Sequence, residues 1–183
     1  MQWAKDLGLP SSAPQCYKRE SEEMKRKSTG IALILAVTIL STQLSYAAAT
    51  QEDVDYSTKV SETIQIFGAD VSDWGVALTS APKLAIGSKF KSYKAKATKS
   101  SDKLLITISE LKSLTPSEGF AKSGPMLTSS MELYEKAITS LKVAINKNDT
   151  KAVAKAGQAA AKASKAFLAW QKAYTAEVAA LNG

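Results

Sequence analysis

The chain has 183 residues, with 24 Lys plus Arg against 17 Asp plus Glu, a formal net charge of +7, one cysteine and no histidine. The missing histidine removes the commonest metal ligand, the usual general base and His-ligated haem. A single cysteine, Cys16, excludes an internal disulfide, so any core must be held by packing alone.

Residues 1–23 show no helical or strand period and hold two prolines. Glu20, Glu22 and Glu23 stand just ahead of a basic cluster. Two readings fit: a mis-assigned upstream extension with translation starting at Met24, or a short disordered cytosolic tail. From Met24 the pattern changes. Lys25-Arg26-Lys27 is followed by an uncharged stretch from Ser28 to Gln51 whose purely apolar part runs roughly from Gly30 to Leu40. A spanning helix wants about 20 apolar residues, whereas an export signal needs about 7–15. Ser45-Tyr46-Ala47 and Ala47-Ala48-Ala49 both fit small-x-small cleavage sites, which makes Ala47 and Ala49 the candidate cut positions. Residues 24–49 therefore read as a signal peptide or, uncleaved, as a single-pass anchor contacting the membrane through residues 28–49. An ordinary buried helix is the third reading. The first two both place residues 50–183 outside the cytoplasmic membrane, as a secreted or envelope domain.

Beyond Gln51 the apolar spacing is helical throughout. Val60, Ile64, Phe67, Val71, Trp74 and Leu78 follow alternating steps of four and three, the heptad seam of a coiled coil. Pro82 ends this helix or opens the next. The second seam is Ile86, Phe90, Tyr93, Ala97, Leu104, Ile108, Leu111 and Leu114, and its gap at Ser100-Ser101 predicts looser packing there. Thr115-Pro116-Ser117-Glu118 reads as a helix start, with Thr115 as cap and Glu118 completing a capping box. The third seam is Phe120, Gly124, Leu127, Met131, Tyr134, Ile138, Leu141 and Ile145. Its unbroken register predicts one helix from about Pro116 to Asn146, kinked at Pro125. The rival reading is a loop from Thr115 to Pro125 and a shorter helix. The turn at residues 146–150 leads to a fourth seam: Val153, Gly157, Ala160, Ser164, Phe167, Trp170, Tyr174, Val178 and Leu181.

Four long helices with short connections predict an all-α, antiparallel, up-down-up-down four-helix bundle preceded by an N-terminal hydrophobic export helix. Charge fits that order. Residues 51–81 carry a net −5 and residues 82–114 a net +6. Past Ala47 the chain is lysine-rich, with 18 lysines, no arginine and 13 acidic residues.

From Leu114 to Phe167 the chain resembles a broad pattern of small exported prokaryotic helical-bundle proteins of unassigned function. The matching residues are Pro116 and Glu118 at the helix opening, and Tyr134, Ala137, Leu141, Ala144 and Ile145 along it. Asn148 and Asp149 follow in the turn, ahead of an Ala- and Lys-rich last helix. Such proteins are often lipoproteins, and this chain lacks the lipid-anchor cysteine. The resemblance implies an envelope-associated bundle and supplies no catalytic residue.

Other candidate sites are sparse. Serines and threonines have no histidine base, and no motif singles out a Ser-Lys pair. Glu132 with Glu135, and Asp70 with Asp73, share helix faces, but a di-iron bundle needs histidine and calcium needs a ligand loop, so they read as solvated faces. Met126 and Met131 read as core. Asn148-Asp149-Thr150 is a glycosylation sequon at Asn148 that also reads as a helix stop followed by a cap. Trp74, Gly75, Gly157 and Trp170 are the candidate lining of a small apolar slot, with close helix packing as the plainer account of the glycines. The lysines around Phe90 and Tyr93 suit weak polyanion contact, and the absence of arginine argues against specific nucleic-acid recognition. The expectation is a non-catalytic, cofactor-free exported protein that binds a protein or an anionic surface polymer. The alternative is a binder of a small apolar ligand within the bundle core. A sensor ectodomain would need a second span and a cytoplasmic output, which the sequence does not provide.

Overall fold

The computed structural model describes residues 49–82 and 86–183. Residues 1–23, Ala47 and all of the export segment except Ala49 lie outside the described residues. Among the described residues the chain is all-helical: α1 Gln51–Thr79, α2 Gly87–Ser113, a 3-10 turn Glu118–Phe120, α3 Ser123–Lys147 and α4 Thr150–Leu181. No helix among them is long and apolar enough to cross a membrane.

Each start has a local cause. Thr50 caps α1: its Oγ1 accepts from the Asp53 N–H at 3.2 Å, while Asp53 Oδ2 accepts from the Thr50 N–H at 2.9 Å and from its hydroxyl at 2.8 Å. Asn148 turns left-handed (φ 57°) to stop α3, and Asp149 caps α4 by accepting from the Ala152 N–H at 2.9 Å. These residues thus perform the stop and the cap that their types suggest.

The third helix departs from the kinked 31-residue reading and matches its shorter rival. It begins at Ser123, so Pro125 falls in the first turn, where a missing N–H costs no internal hydrogen bond. Thr115 makes no cap. Ser117 Oγ (2.7 Å) and the Gly119 N–H (3.0 Å) instead donate to Asp53 Oδ1. Glu177 of α4 caps α3 from outside, accepting from the N–H groups of Lys122 (2.9 Å) and Ser123 (3.0 Å). Gly119 is dictated by space: a Cβ there would lie 2.5 Å from Asp53 Oδ1 and 2.9 Å from Leu181 Cδ1.

The predicted seams form the core. Val60, Ile64, Phe67, Leu104, Ile108, Leu111, Phe120, Leu127, Met131, Ile138, Phe167 and Val178 are all buried. A file of rings runs through it. Tyr56 meets Phe120 at 5.0 Å, Phe120 stacks on Tyr174 at 5.1 Å, and Trp170 bridges Tyr174 (5.4 Å) and Phe167 (4.9 Å). Phe67 meets both Phe167 and Tyr134 at 5.4 Å. Such pairs add about 0.5–1.5 kcal/mol each beyond their burial. Between elements the partner numbers fall as the first numbers rise: Asp70–Thr107 and Trp74–Ser101, Lys112–Glu135 and Lys94–Asn146, Ser57–Tyr174 and Phe67–Phe167.

Three seam expectations and one of a solvated face are corrected. Packing does not loosen at Ser101, which is wholly buried because the Trp74 indole reaches across to donate to its Oγ at 3.1 Å. Ile86, at the α2 cap position, is 74% exposed. In α4 Ala156 takes the buried position and Gly157 is only half-buried. Asp70 is no solvated carboxylate: it is buried, receives the Thr107 hydroxyl at 2.5 Å, and lies 2.7 Å from Lys103 Nζ. That contact serves as an ion pair, since Asp70 Oδ1 has no hydrogen bond of good angle.

Two measurements check this packing. Phe67→Ala should cost about 3–5 kcal/mol in urea unfolding, because its buried ring meets rings of both α3 and α4, whereas Ile86→Ala should change stability by no more than about 0.5 kcal/mol. The Asp53 carboxyl is held down to about 2, first by the Ser117 hydroxyl and then by the Thr50 amide, against the opposing effect of burial. Its stabilisation is therefore present above the unfolded value of about 4 and lost as pH falls from there towards 2. Asp53→Asn should remove that acid-dependent component and cost about 2 kcal/mol at neutral pH.

A lysine-rich end as the candidate functional site

α2 opens with Lys89, Lys91, Lys94, Lys96 and Lys99 in eleven residues, with a seam of Tyr93 and Ala97 facing the core. The turns of the helix spread the lysines over both flanks of that seam. On one flank Lys94 Nζ donates to the Asn146 carbonyl at 2.8 Å, joining α2 to the end of α3. The α3–α4 turn brings Lys147, Lys151 and Lys155 to the same end. Asp149 is the carboxylate in that turn, and its Oδ1 is occupied capping α4.

Ion pairs stop short of this end. Lys103 pairs with Asp70, and with Asp73 at 3.8 Å; Lys142 pairs with Asp102; Lys112 pairs with Glu135 at 2.6 Å. Among the described residues, Lys89, Lys91, Lys96, Lys99, Lys147, Lys151 and Lys155 have no acidic partner. The last turns of α1, from Val76 to Ser80, carry no charge at all. Like charges gathered without counter-charges raise the local potential and attract anions. The half-buried Phe90 ring stacks on Tyr93 at 5.8 Å with Lys94 Nζ 5.1 Å above it. Burial raises the Tyr93 hydroxyl, so it stays neutral beside the lysines.

The opposite end has different chemistry. A cleft of about 600 Å³ lies between the first turns of α1 and the 113–117 connection, and its rim sets Glu52 and Asp55 against Lys59. Burial pushes the Tyr56 hydroxyl there up to about 12.

The two candidate tryptophans are not brought together. Phe67 meets Phe167, and Trp74 and Trp170 lie seven and three residues beyond these in opposite directions, an axial separation of about 15 Å. Trp74 is anchored on Ser101, while the buried Trp170 Nε1 has no hydrogen-bond partner and its ring is sandwiched by Phe167 and Tyr174. A Cβ at Gly75 would meet nothing within 4 Å, so close packing does not account for that glycine. Asn148 is exposed in its turn. Glu132 is exposed and Glu135 is taken by Lys112, and no group of three or more His, Cys, Asp or Glu among the described residues is placed to hold a metal ion. Sequence reading found the lysine run of α2 but not its convergence with the α3–α4 turn. The shared spacing of Lys94 and Asn146 from the middle of their helix pair was the available signal. Comparison with protein-family models, curated proteins and solved structures returns no match.

Proposed function

We propose that this is a non-catalytic exported protein, an antiparallel up-down-up-down four-helix bundle that attaches to an anionic surface polymer through its lysine-rich end. The export stretch from Lys25 to Ala49 supports a location outside the cytoplasmic membrane, whether it is cleaved or kept as an anchor. The opposed pairing of residue numbers between elements supports the helix order. Lack of histidine throughout the chain supports a binding rather than a catalytic role.

One observation carries the choice of polymer over protein partner: unpaired lysines from three stretches meet at one end, with no arginine among them. Lysine is a point charge on a flexible stem, suited to a repeating anion rather than to a shaped carboxylate or phosphate pocket. Attraction of this kind is long-ranged, sequence-tolerant and screened by salt. The reading of a small apolar ligand between Trp74 and Trp170 draws no support from tryptophans three turns apart.

Retention on immobilised polyglutamate and polyphosphate tests the proposal. Binding should weaken steadily as salt rises. Replacing Lys89, Lys91, Lys96 and Lys99 by Gln should weaken it at least about tenfold, since each lysine near an anionic surface contributes on the order of 1 kcal/mol. The same change at Lys59, Lys122, Lys136 and Lys172 should have little effect. Equal losses from the two sets, or retention indifferent to salt, would contradict the proposal.

A further inference from the structure

Asp53 is only 3% exposed, and among the described residues the groups that hydrogen-bond to its carboxylate are all neutral. Its four donors are the Thr50 N–H and hydroxyl, the Ser117 hydroxyl and the Gly119 N–H. Among the described residues no lysine pairs with it. Those neutral donors already favour the ionised form, and a positive charge placed on one of them would favour it further.

One of those donors has a second possible identity. The Thr50 nitrogen, 2.9 Å from Asp53 Oδ2, belongs to the peptide bond that follows Ala49. Cleavage after Ala47 would leave the new amine two residues away, up to about 7 Å along the chain. Cleavage after Ala49 would turn that very nitrogen into a cation. We infer that the mature protein begins at Thr50, and that its α-ammonium forms an ion pair with the buried Asp53 carboxylate.

The inference rests on the export reading and deepens it by naming the bond. The step is hydrolysis by a membrane-associated signal endopeptidase. Water oxygen bonds to the Ala49 carbonyl carbon and the C–N bond breaks. Ala49 leaves as a carboxylate, and both water hydrogens end on the Thr50 nitrogen. Thr50 is already positioned, since its hydroxyl donates to Asp53 Oδ2 and accepts from the Asp53 N–H. A cation at a helix N-terminus is otherwise disfavoured by the macrodipole, and the adjacent carboxylate offsets that. Processing thereby strengthens the clip between α1 and the 117–119 turn, so the exported chain is more stable than its precursor.

The pH dependence has a definite sign. An α-amine ordinarily titrates near 7.7–8.0, and Asp53 would raise it. Its stabilisation is then complete below about 8 and lost as pH rises through the raised value. The other titratable groups on the elements around Thr50 are Glu52, Asp55, Tyr56 and Lys59 on α1, Glu110 and Lys112 at the end of α2, Glu118 on the 3-10 turn, Lys122 ahead of α3, and Tyr174 and Glu177 on α4.

The test is the N-terminal sequence and intact mass of the natural protein from medium and envelope fractions. Thr50 at the N-terminus is expected. A start at Ala48 overturns the inference while leaving cleaved export intact, and a start at Met24 or Met1 overturns cleavage itself. On protein beginning at Thr50, the α-amine should titrate above its ordinary range and return to it in Asp53→Asn. Should that variant not fold, thermal unfolding of the natural protein should weaken between about pH 8 and 10 and α-N-acetylated protein should not. An ordinary α-amine, or identical pH profiles, would overturn the ion pair.

Discussion

The carboxylate of Asp53 fastens one end of the molecule. It closes the first turn of α1 through Thr50 and seizes the connection ahead of α3 through Ser117 and Gly119. With that connection fixed, Phe120 is delivered between Tyr56 and Tyr174, and the ring file continues through Trp170 and Phe167 to Phe67. Glu177 completes the arrangement by capping α3 from α4. Two acidic side chains, from the first and last helices, thus satisfy backbone donors that the short connection cannot satisfy itself.

How far the sequence could be read follows from what decides each feature. The four seams were legible because burial imposes a period on each helix separately, and Val60 to Leu78 or Leu127 to Ile145 carry that period without help. The start of α3 was not legible. Its boundary depends on Asp53 and Glu177, more than fifty residues away on either side, and local capping signals at Thr115 and Glu118 could not announce them. Ser101 and Asp70 were misread for a related reason. A hydroxyl or carboxylate looks like solvent-facing surface until a partner such as Trp74 or Thr107 arrives from the neighbouring helix.

The same division applies to the candidate site. The lysine run of α2 is visible as letters, but a run of charge alone is an ordinary solvated face. What gives it weight is the fold's habit of pairing. Lys103, Lys112 and Lys142 find carboxylates in the body of the helices, and the pairing runs out toward the end where α2 begins and α3 turns into α4. The molecule is therefore asymmetric along its length. The acid-fastened end holds the start of α1, and the uncompensated basic end lies where α2 begins and α3 turns into α4. In an exported protein, that polarity would set the tethering or processing end apart from the end that meets the surroundings.

The claim that Asp53 fastens a distinct end is tested most directly by amide hydrogen exchange as pH is lowered from about 5 to about 2, across the window between the unfolded and folded values of that carboxyl over which its stabilisation is lost. Protection over residues 53–57 and 119–124 should fall together, while amides around Phe67, Tyr134 and Phe167 keep theirs. Uniform loss across the chain would show that this end does not open separately from the ring core, and protection at Gly119 that ignores pH would show that Asp53 does not hold it.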